Sequence, residues 1–270
     1  MSSATRRNPI ARRRIVCREL AVRGAVSVAE LSAVLGVSSA TVRRDLDALA
    51  QEGVVVRGHG GAASRASRPA EEALAIREKK DVDEKRAIAR MAATFIKPGE
   101  TIFLNDGSTV LALARELVAA ELELFIVTSA INVAHLLVEN PRLTVCLLGG
   151  FVRRSSLATS GPFAESMLEQ FNADVAVLSS DAFSVAEGMS FTNADDALLS
   201  RKMAVRAKRC IAMVTSPKFA WNARLTGVPI GEIDVLVTDA LPPDLRAGLS
   251  AAKLSVVEAL AAPARRVVAE

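Results

Sequence analysis

A chain of 270 residues, half of them hydrophobic, can bury one large core or a large and a small one. No apolar run approaches the roughly 18 uninterrupted residues of a membrane helix, and the basic opening has no apolar stretch behind it, so a membrane partner and a secretory route are not expected and a cytoplasmic location is. Cys17, Cys146 and Cys210, widely spaced, and only two histidines argue against a disulfide scaffold or a His-rich metal centre; no metal or cofactor is expected.

The net charge of +4 is unevenly placed. Residues 1–68 hold 12 of the 34 Lys and Arg but five of the 30 Asp and Glu, a net of +7, which leaves −3 for the rest. A local basic charge on a near-neutral body is the footprint of a nucleic-acid-binding head. A solvated basic tail would account for Arg6 to Arg14 but not for Arg43, Arg44 and Arg57.

The first 61 residues read as three short helices and a hairpin. The first helix spans about Arg12 to Val22, with Gly24 as its C-cap. Ser27-Val28-Ala29-Glu30 is a capping box, opening a helix that buries Val28, Leu31 and Leu35 and stops at Gly36. Ser38 or Ser39 then caps a third helix running to about Glu52. At 100° per residue, Val42, Leu46 and Leu49 form its core stripe, Arg44, Ala40, Ala48 and Thr41 face outward, and Arg43 lies on the flank. Two helices joined by a Gly-containing turn, the second with an outward polar face, are the helix-turn-helix pattern. Val54 to Arg57 reads as a strand, and Gly58-His59-Gly60-Gly61 as the turn of a small β wing.

Residues 62–79 read as a linker, and from 80 to 270 helices and strands alternate. Expected strands are Thr101–Leu104, Leu124–Thr128, Leu143–Leu148, Ala173–Leu178, Arg209–Thr215 and Ile233–Thr238. Helices are expected over Val82–Ile96, Ser108–Leu117, Ile131–Val138 and about Asp195–Ala207. This alternation predicts an α/β domain with a parallel sheet and helices on both faces.

In the head, Arg44 can fork to guanine O6 and N7 or to phosphate in a major groove. Ser38, Ser39 and Thr41 stand at a helix N-terminus, where hydroxyls and amides hold phosphate. Arg43 and Arg57 add backbone-directed charge, Ser27 and His59 complete the candidate DNA-binding set, and Asp45 is expected to pair with a neighbouring arginine. In the second domain, Asn105-Asp106-Gly107-Ser108-Thr109 leaves a strand and enters a helix, an anion site at the C-terminal edge of the sheet.

The run Leu31 to Leu46 resembles the helix-turn-helix of the DeoR family of bacterial repressors, and Arg57-Gly58-His59-Gly60-Gly61-Ala62 resembles the same family's wing. The resemblance continues through Glu84-Lys85-Arg86-Ala87-Ile88-Ala89 into the second domain. It implies an N-terminal winged helix-turn-helix, a double-stranded DNA operator as partner, and homo-oligomers. It further implies a domain resembling the ribose-5-phosphate isomerase fold that senses a phosphorylated sugar or polyol. By the same resemblance, effector contacts fall on Asn105, Asp106, Gly107, Ser108, Thr109, Thr128, Ser129, Gly149, Gly150 and Lys218. The chain departs from the family at Asn105, usually Asp, at Ser108, usually Thr, at Ser129, usually Asn, and at Thr215, usually Asp. Regulator and not enzyme is therefore the expected class. The alternative is a sugar-phosphate isomerase-like enzyme with a fused DNA-binding head, with Asp106, Asp181 or Asp196 as base. A further alternative is an architectural DNA-binding protein whose second domain only oligomerises.

Overall fold

The computed structural model describes residues 8–23, 25–51, 55–58, 61–64 and 73–259. Contacts divide the chain into two compact units, Met1–Glu72 and Ala73–Glu270.

The first unit opens with α1 (Pro9–Arg23) and β1 (Ala25–Ser27); the expected cap at Gly24 lies outside the described residues. The capping box then starts α2 (Val28–Leu35): Ser27 Oγ accepts the Glu30 N–H at 3.2 Å, and Glu30 Oε2 accepts the Ser27 N–H at 2.9 Å. Gly36 ends it at φ 63°, ψ 37°, a left-handed conformation that costs a residue with a Cβ roughly 1–2 kcal/mol. After the turn comes α3 (Ser39–Gln51). The wing pairs β2 (Val55–Gly58) with β3 (Gly61–Ser64) in antiparallel register, Gly58 opposite Gly61. A third strand, not expected from the sequence, joins them: β1 pairs with β3, so the sheet order is β1-β3-β2. Three residues were too short a run to show alternation. Val16, Val28, Leu31, Leu35, Val42, Leu46, Leu49 and Val55 form one small core.

Both ends of the expected linker are structured. Residues 62–64 complete β3, because Ala62 and Ala63 pair with β1 and β2. In the second unit, the helical turn α4 (Leu74–Arg77) buries Leu74.

The second unit continues with α5 (Val82–Ala93), β4 (Thr101–Leu104), α6 (Ser108–Ala119), β5 (Leu124–Thr128), α7 (Ile131–Leu137) and β6 (Leu143–Leu147). The hairpin β7 (Phe151–Arg153) and β8 (Ala158–Ser160) follows, then α8 (Pro162–Leu168) and β9 (Val175–Ser179). After β10 (Ala182–Ser184) and β11 (Gly188–Phe191) come α9 (Ala194–Val205), β12 (Cys210–Val214) and β13 (Leu225–Val228). The order closes with β14 (Val235–Thr238), α10 (Arg246–Ala251) and β15 (Ser255–Glu258).

Seven strands form a parallel sheet in the order β15-β14-β12-β9-β4-β5-β6, and β10-β11-β13 form a small antiparallel one. The side-chain period of two sends alternate residues to two cores. Ile102, Leu104, Ile126, Val177 and Ile211 meet α5, α6 and α7 on one face. Phe103, Val127, Leu178 and Ala212 meet α8, α9 and α10 on the other. This is the expected parallel sheet with helices on both faces. Among the described residues no helix is long and apolar enough to cross a membrane.

The charge inside the head is the one costly feature. Asp45 is buried on α3, and Arg12 of α1 grips it with two bonds, Nε to Oδ2 at 2.8 Å and Nη2 to Oδ1 at 3.1 Å. Arg13 Nε also lies 3.8 Å from Asp45 Oδ1, so removing this carboxylate takes the counter-charge from a buried guanidinium and its neighbour. Asp45→Ala should therefore destabilise the head by roughly 3 kcal/mol. Denaturant unfolding followed by helix signal checks it; a loss below about 0.5 kcal/mol, the range of surface substitutions, would show that the pair is dispensable.

Candidate functional site

The head presents a surface built from one helix. Val42, Leu46 and Leu49 anchor α3 inward, which leaves Ala40, Arg43 and Arg44 exposed. Ser38 begins the helix: its Oγ accepts the Thr41 N–H at 3.3 Å and lies 3.0 Å from the Thr41 hydroxyl. Ser39, also exposed, receives the Ser32 hydroxyl at 3.4 Å. Asp45 pairs with an arginine as expected, but with Arg12 on another helix and not with a neighbour along its own. Ser27 differs from expectation. Its hydroxyl is 2.6 Å from Glu30 Oε2 and accepts the Glu30 amide, so the capping box uses it fully. Arg57 is placed by its backbone in β2, and His59 lies outside the described residues.

The second site follows from strand order. From β4 the chain runs outward to β5 and β6, then returns to β9 on the other side and continues to β12, β14 and β15. The order reverses between β4 and β9, and a crevice forms beyond the carboxyl ends of strands at such a point. Asn105, just past β4, braces it. Its Nδ2 donates to Ser179 O at 2.8 Å and to Ser200 Oγ at 3.0 Å, and its Oδ1 accepts the Ser179 N–H at 3.0 Å.

Three carboxylates and three cations converge there. Arg153, from β7, contacts Asp196 in a tight ion pair and lies 3.7 Å from Asp106. Arg77, from α4, lies 3.8 Å from Asp181, which also accepts the Thr192 N–H and hydroxyl at 2.8 and 2.7 Å. Lys218 Nζ donates to Ser179 Oγ at 3.0 Å. Burial pushes the Lys218 ammonium down to about 8, with Asp181 opposing. Burial likewise raises the Asp106 carboxyl above its ordinary value, against the pull of Arg153 and Arg77.

The loop after β4 enters α6 at Gly107, whose φ of 127° suits glycine alone. Ser108 and Thr109 open the helix, both buried. Thr109 Oγ1 is buried with no partner among the described residues, as are Ser180 Oγ and both side-chain polar atoms of Asn132. These three residues follow β4, β9 and β5, adjacent strands, at one edge of the sheet. A buried polar group left unbonded costs about 1–3 kcal/mol, so three at one edge point to a polar ligand.

The family models decide what this arrangement belongs to. The DeoR-like helix-turn-helix domain matches residues 12–68, and the DeoR C-terminal sensor domain matches residues 80–240. The chain belongs to the DeoR family. It is a DNA-binding transcriptional regulator with a sensor domain. It is 32% identical to the putative aga operon transcriptional repressor of Escherichia coli O157:H7, over 91% of this chain and 92% of that one. The transcriptional repressor CsqR of E. coli K12 is 35% identical over 83% of this chain and 85% of its own. The regulator GolR of Listeria innocua is 34% identical over 79% and 84%. Among solved structures, ribose 5-phosphate isomerase A of Methanocaldococcus jannaschii aligns at a TM-score of 0.40 and 17% identity, covering 52% of this chain and 56% of that chain. That likeness is too partial to bear on function.

Several expected effector residues of this DeoR-family regulator serve the scaffold. Asn105 is held in the brace by both amide donors and by one bond accepted at its carbonyl oxygen. Thr128 Oγ1 accepts the Ala130 N–H at 3.1 Å, and Ser129 O accepts both the Thr159 N–H and its hydroxyl, so this turn is closed on itself at Thr128 and tied to β8 at Ser129. Gly149 and Gly150 follow β6, two strands or about 10 Å from β4. A Cβ on Gly150 would come within 2.6 Å of Ser160 O, which gives that glycine a packing reason. Asp106, Gly107, Ser108, Thr109 and Lys218 do gather at the crevice. Thr215 has a substitute carboxylate nearby, since Asp239 takes the Ser216 N–H and hydroxyl, each at 2.7 Å.

The sequence reading missed Arg77, Asn132, Arg153 and Ser180. Arg77 lay inside the presumed linker, and Arg153 sits on a three-residue strand with no periodic signal. Buried polar atoms without partners become visible only in three dimensions.

The brace explains why Asn suits position 105. An aspartate there would set a carboxylate against the Ser179 carbonyl and lose both donors. Asn105→Asp is expected to destabilise the second unit by about 1–3 kcal/mol. For a unit of this size that is a fall in melting temperature of roughly 2–10 °C. Calorimetry is the check, and an unchanged transition would remove the brace from this account.

Proposed function

We propose that this regulator is a cytoplasmic repressor, not an enzyme, that reads its operator through α3 as a homo-oligomer. A phosphorylated sugar or polyol bound at the β4–β9 crevice releases it. The observation that supports the effector reading is the coincidence of unpartnered Thr109, Ser180 and Asn132 with the α6 N-terminus and the Lys218 ammonium. A helix N-terminus favours negative charge, and buried hydroxyls and amides suit phosphate oxygens and sugar hydroxyls. Against the isomerase alternative, Asp181 and Asp196 are each committed to an arginine, and position 105 carries an amide. By linkage, an effector that favours the DNA-free arrangement weakens the operator exactly as much as the operator weakens the effector.

On DNA, Ser38, Ser39 and Thr41 would take phosphate with Arg43, Arg57 and His59, while Arg44 reads a base edge. One head covers one half-site, and helix-turn-helix proteins pair two about 34–36 Å apart. Arg44→Ala is expected to weaken operator binding by roughly 1–3 kcal/mol and relax base preference at one position per half-site. Affinity selection followed by footprinting reads both. Unchanged affinity would take base reading away from Arg44, and a single protected half-site would contradict the paired assembly.

The effector reading carries its own pH dependence. A bound phosphate favours the protonated ammonium, so binding takes up a proton wherever free Lys218 has lost its own. Affinity for the effector should therefore hold near pH 7.5 and fall as pH rises through the Lys218 value of about 8, by up to about tenfold per pH unit. Thermal shift with pentose, hexose and polyol phosphates between about pH 7 and 9.5 finds the compound and tests the slope, since ligand binding raises the melting temperature. Lys218→Met should flatten the slope. An unphosphorylated sugar that binds better than its phosphate would overturn the anion site.

A further inference from the structure

The start of the second unit lies at the crevice on which the effector reading rests. The first described residues of the second unit form α4, and this short turn is held by two ties that both lead to groups facing the crevice. At its start, Leu74 is buried and its N–H donates to Ser155 O at 2.8 Å. Ser155 lies in the β7–β8 turn, two residues from Arg153, whose guanidinium holds Asp196 and approaches Asp106. At its end, Arg77 lies 3.8 Å from Asp181, and its charge acts on both Asp106 and Lys218.

A third contact fixes the following residues from beneath. Lys85, a buried lysine on α5, donates its ammonium to Arg77 O at 2.6 Å and also to Lys80 O. Asp81 then turns the chain into α5 through a left-handed conformation, φ 48° and ψ 45°, strained for a residue with a Cβ. Residues 74–81 are thus a short, anchored strap in which Arg77 already faces a carboxylate of the crevice.

An anion added there changes the balance of that end. Beside a phosphate, Asp181 becomes a like charge and the guanidinium of Arg77 gains a stronger, bidentate partner. We propose that Arg77 couples the crevice to the DNA-binding head: a bound anion draws its guanidinium from Asp181 and shifts the strap that continues into the head. This rests on the effector reading above and adds the element that transmits it. Arg77 is a positioning residue for the head, and the strap is the two-state element that linkage requires.

The full chain with its selected operator tests this, with ribose 5-phosphate, fructose 6-phosphate, glycerol 3-phosphate and inorganic phosphate as probes. Three quantities are read: the thermal shift, amide hydrogen exchange over residues 74–81, and the ratio of operator Kd with probe to that without. In the unsubstituted chain, a probe that raises the melting temperature should alter exchange at 74–81 and raise the ratio by about fivefold or more. In Arg77→Ala the probe should bind more weakly, for want of the guanidinium contact, yet still give a thermal shift once saturating; at that saturating concentration the ratio falls to within about twofold of one and exchange at 74–81 stops responding. Arg77→Lys, which keeps the charge but not the fork, should recover part of the ratio.

An Arg77→Ala ratio equal to that of the unsubstituted chain would overturn the assignment. So would a probe that shifts melting and operator affinity while exchange at 74–81 stays unchanged. If no probe shifts melting, the effector reading itself fails and the coupling falls with it. That outcome is distinct from a crevice that binds without transmitting.

Discussion

Everything the second unit can do depends on the reversal of strand order between β4 and β9. A parallel sheet wound outward in both directions from its centre leaves two loops diverging at one edge, with nothing between them but side chains. Asn105 closes the base of that gap by bonding the backbone on the far side. Above it stand the loops that follow β4, β5, β9 and β12, all at the same edge of the sheet. The same reversal explains the density of charge there. Groups placed around a crevice that excludes part of the solvent interact strongly, and three carboxylates remain tolerable only because three cations face them.

Much of the architecture was legible in the residues. The capping box at Ser27–Glu30, the Gly36 stop and the inward stripe of α3 are local devices, and each was readable because its cause lies within a few positions. Six of the seven strands of the parallel sheet were visible as apolar runs for the same reason, and in β4, β9 and β12 burial on both faces leaves no alternation. The short pieces escaped. β1, β7, β8, β10 and β11 are three or four residues long, and their partners, not their composition, make them strands. β15, with two valines between Ser255 and Glu258, is an edge strand that exposes one side and carries a weak signal.

The site was legible only in part, and the division has a physical basis. Gly107, Ser108 and Thr109 announce themselves because a helix N-terminus after a strand is a sequence-local event. Arg77 and Arg153 do not, because a lone arginine outside a periodic element looks like any solvated surface cation. Asn105 shows a structural role that its sequence neighbourhood does not announce. Its place in a ligand loop suggested a contact, whereas its amide, with two donors and an acceptor, is spent on Ser179 and Ser200. What separates a ligand group from a scaffold group is how many of its bonds are already made.

The buried pair in the head has a further consequence for how operator preference can change. Arg12 holds α3 by a carboxylate on its inward side, and Val42, Leu46 and Leu49 fix the same side by packing. The pose of the helix is therefore independent of what it shows to the groove. Positions 40, 43 and 44 are exposed and can be exchanged without moving the backbone that carries them; on the proposed reading of α3, new binding sites are then reachable by single steps that leave stability nearly constant. Position 45 is closed to such exploration. A head of this design divides its residues into those that hold the reading helix and those that may drift, and a lineage of regulators can diversify its targets along the second set alone.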